Sequence, residues 1–315
     1  MKKFLVLFLF LIFYVSPVSA QDEMEGSEEL PVVQQTDRDP RNFCPYEPDF
    51  SNEHLLVFID VTDGFTEQQV NLVKNDILTD ELLENMEIYG RISLIVMDGN
   101  EPVTKLTPLL SVCRPKNGNN TSKDKRDHFD MLTESRQRLD LEYRIGYLRR
   151  VKEKVIEIVQ EKAENRKLTN QTPLMEAIHE ITRSSAINFG DKYEKKTLLI
   201  VSNMYHNSKS LPLDKICVRR IYRQGFTYYR YKSVWKCPSF NDVKKKRANE
   251  FYLERKIKPK FKGKTDIKLW ILHRESSEGS IRDSSLLTFW QDYFVDYVQG
   301  DVTLLEPEFE PDPFL

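Results

Sequence analysis

The sequence predicts an α/β fold: a doubly wound, mostly parallel sheet flanked by helices, carrying a basic, aromatic-rich insertion. Three observations predict it. Short apolar runs recur at Leu55–Ile59, Arg91–Met97, Thr197–Val201 and Asp266–Leu272, as in strands buried on both faces. Helical periodicities lie between those runs. Two of the runs end in polar residues, Asp60 and Ser202-Asn203, and in open α/β sheets ligands bind outside the carboxyl ends of strands.

Each element follows in chain order. Met1–Ala20 has Lys2 and Lys3 before an apolar stretch, Phe4–Val15, and ends in Val18-Ser19-Ala20. That is the pattern of a secretory signal peptide cleaved after Ala20. An uncleaved anchor is the alternative, although Phe4–Val15 is short for a span of about twenty residues. The expected location is outside the cytoplasm, periplasmic or secreted, with no transmembrane segment in the mature chain. Residues 21–50 are acidic, with Glu23, Glu25, Glu28, Glu29, Asp37, Asp39, Glu47 and Asp49 against Arg38 and Arg41. Such a leader is expected to be largely disordered up to Arg41, because it can bury little apolar surface. Phe43, Cys44, Pro45 and Tyr46 are expected to dock on the domain.

The first strand is followed by a helical pattern from Thr66 to Asn85, with Thr66 as N-cap and Val70, Val73, Leu78 and Leu82 as its stripe. After the Arg91–Met97 strand, Val103–Val112 reads as an edge strand interrupted by Pro108. Asn119 and Asn120 each open an N-x-[ST] sequon, which matters only in a eukaryotic secretory pathway. Glu134–Lys167 carries Leu139, Leu141, Ile145, Leu148, Val151, Val155 and Ile158 at helical spacing: one long helix, or two broken near Gly146. Thr172 and Pro173 read as N-cap and first residue of a helix reaching Ser185. Residues 209–264 hold 18 basic residues against 4 acidic ones, with aromatics clustered at Phe226–Tyr231. Ser285–Gln299 reads as an amphipathic helix, Val302–Leu305 as a last strand, and residues 306–315 as an acidic tail. The domain proper is bounded at residues 51–305.

Asp60, Thr62, Asp63 and Thr66 cluster behind the first strand, Thr172 precedes a helix, and Asn203 ends a later strand. This ordered set resembles the von Willebrand factor type A family with its metal-ion-dependent adhesion site, a Rossmann-like fold. The strings DVTDGFT, QTPLMEAI and LLIVSNMYHNS look like a poorly characterised exported bacterial branch of it. The resemblance implies a divalent cation, Mg or Ca, held by Asp60, Thr62, Thr172 and the residue at Asn203. The family pattern D-x-S-x-S reads Asp60, Thr62, Gly64 here, and its second aspartate is Asn203. One hydroxyl and one charge are therefore missing, and charge sets cation affinity. Asp63 is a substitute carboxylate, although on a regular strand it points away from Thr62. The alternative is a metal-free hydrogen-bond network joining Asp60, Thr62 and Thr172.

The four cysteines are Cys44, Cys113, Cys217 and Cys237, an even count that suggests disulfides in an exported chain. Three pairings exist; the favoured one is Cys217–Cys237 stapling the insertion, which leaves Cys44–Cys113 to tie the leader down. Four free, buried thiols are the alternative. No Cys/His spacing suits zinc. G-x-S-x-G, H-E-x-x-H, the P-loop and G-x-G-x-x-G are all missing, so the motifs point away from an enzyme. His179 and His206 lie nearest the site in sequence and read as structural.

Three functions follow. One is a non-enzymatic interaction module that binds a protein partner through strand-end loops, with or without a metal. Another is a protein that binds an anionic envelope surface or nucleic acid through the basic insertion. The third is a metal-dependent hydrolase using Asp60 and Asp63.

Overall fold

Leu55, Val57 and Ile59 face one side of the first strand, Leu56 and Phe58 the other, and all five are buried. A strand with two apolar faces must lie between two layers. The computed structural model describes residues 38–46, 52–118, 136–167, 171–187, 189, 192–209, 211–213, 218–224, 230–246, 253, 255–272, 284–298 and 302–310. All belong to the unit Thr36–Leu315. The expected signal peptide and its cleavage point lie outside them.

Among the described residues the main sheet has seven strands: β1 (Glu53–Asp60), β2 (Arg91–Met97), β3 (Leu110–Cys113), β4 (Lys195–Ser202), β7 (Thr265–Ile271), β8 (Val302–Leu304) and β9 (Glu308–Phe309). The order is β3-β2-β1-β4-β7-β8, with β9 also on β7. Every pairing is parallel except β2 with β3. From β1 the chain builds outward in one direction through β2 and β3, then returns to add β4 and β7 on the other side. The expected mostly parallel α/β sheet is therefore present.

Helices cover both faces. On one lie α1 (Glu67–Leu72, continuing as π-type turns through Val73–Ile77), α2 (Asp80–Asn85) and a long helix, α3. α3 runs through Arg136–Leu141, π-type Glu142–Arg149 and Arg150–Glu164. On the other lie α4 (Leu174–Ile181), α5 (Phe240–Lys246) and α6 (Ser284–Gln291, then Asp292–Val298). Thr66 caps α1 as expected, in a reciprocal capping box with Gln69. The expected single run to Asn85 is two helices, because the chain leaves helical geometry at Leu78 and restarts behind the Thr79 cap.

Four expectations change. The edge strand is only Leu110–Cys113; Val103–Lys105 is a 3-10 turn, and Pro108 has no N–H to give a ladder. The ordered leader begins earlier than Arg41. Arg38 is 1% exposed and its guanidinium meets Glu142 of α3, so one long-range ion pair holds an otherwise polar segment. Phe43 and Cys44 are buried there, the Cys44–Cys113 disulfide is formed, and Tyr46 is exposed rather than docked. The tail is partly sheet: β9 pairs with β7, and buried Glu310 accepts from Gln69 Nε2 at 3.0 Å.

Described parts of residues 209–264 pack into the domain. Leu211, Leu213, Cys237, Phe240, Val243, Leu253 and Ile257 are all part of the core on the α4 side. Between them β5 (Val218–Gln224) and β6 (Arg230–Lys236) form an antiparallel two-stranded sheet. Cys237 is disulfide-bonded. Cys217, expected as its partner, lies outside the described residues, as do Asn119 and Asn120.

Candidate functional site at the strand ends

β1 and β4 lie side by side, and the sheet extends from them in opposite directions. Connections leaving their carboxyl ends part to opposite faces and open a crevice there. Asp60 ends β1. Pairing of Ile59 with Val201 brings Ser202 level with Asp60. The Asp60 carboxylate is 6% exposed and accepts three hydrogen bonds. Thr62 N and Thr62 Oγ1 donate to Oδ1 at 3.0 and 2.7 Å, and Ser202 Oγ donates to Oδ2 at 2.9 Å. Thr62 Oγ1 lies 3.0 Å from Thr172 Oγ1. Since the Thr62 proton goes to Asp60, Thr172 donates to Thr62. Three segments far apart in sequence thus meet in one network centred on this carboxylate, the Thr172 segment through Thr62.

Burial pushes the Asp60 carboxyl up to about 6, against the hydrogen bonds from Thr62 and Ser202 that hold it down. Thr172 is not the N-cap expected of it. Its N–H and C=O both bond Asn207, and Leu174 N returns to Thr172 O at 2.8 Å across Pro173, whose φ of −77° and ψ of 59° make an inverse γ-turn. The first turn of α4 is capped instead by His206, whose Nδ1 accepts from Met175 N at 3.2 Å. His206 is fully buried, and burial lowers its imidazole to about 4, so the ring is neutral. Its Nε2 lies 3.7 Å from Glu176 Oε2.

Asn203 joins the site differently. Its Nδ2 donates to Asp63 Oδ2 at 2.8 Å and its Oδ1 accepts from Tyr205 N at 2.9 Å, which leaves neither end pointed at Asp60. Asp63 is exposed and is held by Asn203 away from the central carboxylate. Gly64 has φ +106°, and a Cβ there would meet Arg166 Nη2 at 3.2 Å. The Arg166 guanidinium therefore lies across the loop where the resemblance expects a third hydroxyl. The turn carrying it is pinned to the end of β2, with Lys167 N on Asp98 O at 3.0 Å and Asn100 Nδ2 on Asn165 O at 2.7 Å. Buried Arg166 Nε has no hydrogen-bond acceptor among the described residues.

This donor set fits a divalent cation poorly. Such ions take six or more oxygens and favour carboxylates. Here both oxygens of the one central carboxylate are committed to internal donors, Gly64 offers none, and the Asn203 oxygen is spent on Tyr205. What the cluster can do chemically is hold three strand-end loops rigid beside a guanidinium. Asp60, Thr62 and Thr172, which the sequence groups, lie in one hydrogen-bonded network. Ser202 was visible in the sequence only as a strand end and His206 only as a structural histidine near the site, and no sequence signal pointed to Arg166; strand register is what sets Ser202 beside Asp60.

No protein-family model matches the chain, and no curated protein and no solved structure matches it either. Fold and site define an open α/β-sheet protein with a carboxylate–hydroxyl cluster at the point where strand order reverses. Among the described residues no helix is long and apolar enough to cross a membrane.

Proposed function

We propose that this chain is an exported, non-enzymatic interaction module with a doubly wound fold of the von Willebrand factor A type, which grips a protein partner through its strand-end loops without a metal. The hydrogen-bonded cluster in which Thr62 and Ser202 donate to Asp60 and Thr172 joins through Thr62 carries this reading. The strand order, with one antiparallel edge strand, supports the fold assignment. The Cys44–Cys113 disulfide supports an oxidising compartment. The bonded loops form a rigid crevice wall, and the half-buried Arg166 guanidinium beside it offers donors to a partner's acidic side chain, as a pre-organised contact requires.

The test is a pull-down from envelope extracts with wild type, a Thr62→Ala, Thr172→Ala double variant, and wild type in EDTA. Partner bands lost with the variant and kept in EDTA are expected. Equal recovery by both proteins moves the contact away from this crevice, and loss in EDTA restores the cation.

A further inference from the structure

A second surface lies at the opposite end of the sheet. Lys256, Lys258, Lys260, Lys262 and Lys264 alternate with Ile257, Pro259, Phe261 and Gly263. The alternation is physical as well as sequential. Ile257 and Pro259 are buried and Phe261 packs against the core, while Lys256, Lys260, Lys262 and Lys264 are exposed. Lys258 is half-buried, with its ammonium 5.2 Å from the Tyr297 ring centroid. Period-two exposure marks an extended stretch with one face inward from Lys258 to Lys262; Lys256 lies in a helical turn closed by Ile257 N on Leu253 O, and Gly263, at φ +69°, bends the chain before Lys264.

This row is fastened along its backbone. Tyr293 Oη donates to Ile257 O, His179 Nδ1 meets Lys258 O, Lys260 N donates to Thr182 Oγ1, and buried Lys196 Nζ donates to Lys262 O. Arg183 Nη1 meets His179 Nε2 at 3.1 Å and adds a further cation beside Lys258. Among the described residues Lys256, Lys260 and Lys264 take part in no ion pair. A charge run that merely faces solvent needs no such anchoring.

We propose that the Lys256–Lys264 row binds the phosphodiester backbone of single-stranded nucleic acid. Alternate residues of an extended chain lie at most roughly 7 Å apart, so Lys258, Lys260 and Lys262 span about 13 Å, with Lys256 and Lys264 beyond the turns at either end. It is a line of point charges, the form in which lysine meets phosphates. A stacked strand carries a phosphate about every 3.4 Å, so the lysines reach every second one, and an unstacked strand brings successive phosphates into register. A flexible single strand can follow a row that turns at both ends, whereas a rigid duplex cannot. A membrane surface fits less well, because the apolar residues between the lysines face inward and none is left to enter lipid.

Binding of a fluorescent oligothymidine to the full chain is measured by anisotropy across a salt series, for wild type and Lys256→Ala, Lys260→Ala, Lys264→Ala together. All three lysines are exposed, and a matching thermal melt checks that the variant folds. Single strands lose affinity with a log–log salt slope of about 0.7 per phosphate contact. The variant is expected to bind at least roughly tenfold more weakly, with a slope flatter by about 2, the loss of three contacts. Absence of oligothymidine binding by wild type overturns the proposal. So does an unchanged slope in the variant, or binding confined to vesicles of anionic lipid.

Discussion

Replacing Asp60 by asparagine tests the electrostatics of the strand-end cluster directly. The folded chain holds the Asp60 carboxyl at about 6, against 3.8 for an unperturbed aspartate. A carboxyl whose folded pKa is raised keeps its proton longer in the native state than in the unfolded one. Its contribution to stability is therefore fully present below about pH 4 and is lost as pH rises through about 6. Two pH units at about 1.4 kcal/mol each give roughly 3 kcal/mol between those limits. A carboxamide at this position cannot titrate, so the Asp60→Asn variant lacks this loss. It has a fixed penalty instead: its amide can accept from Thr62 but turns donors toward Ser202, which costs about 1 kcal/mol at every pH. Relative to wild type, Asp60→Asn should gain up to roughly 3 kcal/mol as pH rises from about 4 to 7. Titrations of buried His54 and His206, which burial lowers to about 3 and about 4, are common to both proteins and cancel in the difference. Urea unfolding followed by the fluorescence of buried Trp270 and Trp290 reads the quantity. A difference between the two proteins that stays constant with pH would refute the burial argument.

Two further perturbations address the packed N-terminal strap. A Cβ at Gly146 would lie 2.8 Å from Phe43 Cζ, so Gly146→Ala should destabilise by about 1–3 kcal/mol through overpacking, despite its gain in helix propensity. In a Phe43→Ala background the same change should be neutral or stabilising by up to about 1 kcal/mol, and additive melts in a double-mutant cycle would dismiss the contact. The Cys44–Cys113 bridge spans 69 positions. Closing a loop of that length is worth roughly 4 kcal/mol by chain entropy, so Cys44→Ser with Cys113→Ser should lose about 2–4 kcal/mol. Equal denaturation midpoints with and without the bridge would count against that figure.

Local sequence determined the strands. Leu55–Ile59, Ile92–Met97 and Leu198–Val201 are buried on both faces, as a strand between two layers must be, and Asp266–Leu272 extends the sheet with Asp266 and Lys268 partly exposed. The capping box at Thr66 was equally legible, because both partners lie within one turn. Tertiary structure decided everything that depends on distant pairings. Ser202 reaches Asp60 across 142 positions, Arg38 reaches Glu142 across 104, and Gln69 reaches Glu310 across 241. Those contacts packed residues 38–44 of the acidic leader and 308–310 of the acidic tail onto the domain and drew Thr172 into a side-chain network instead of a helix cap. Periodicity reports which face of a segment is apolar; it carries no record of which segment arrives beside it. Once the sheet aligned Ile59 with Val201, the buried carboxylate had to be satisfied by whatever hydroxyls stood level with it, and the cost of an unpaired buried charge selected the arrangement seen.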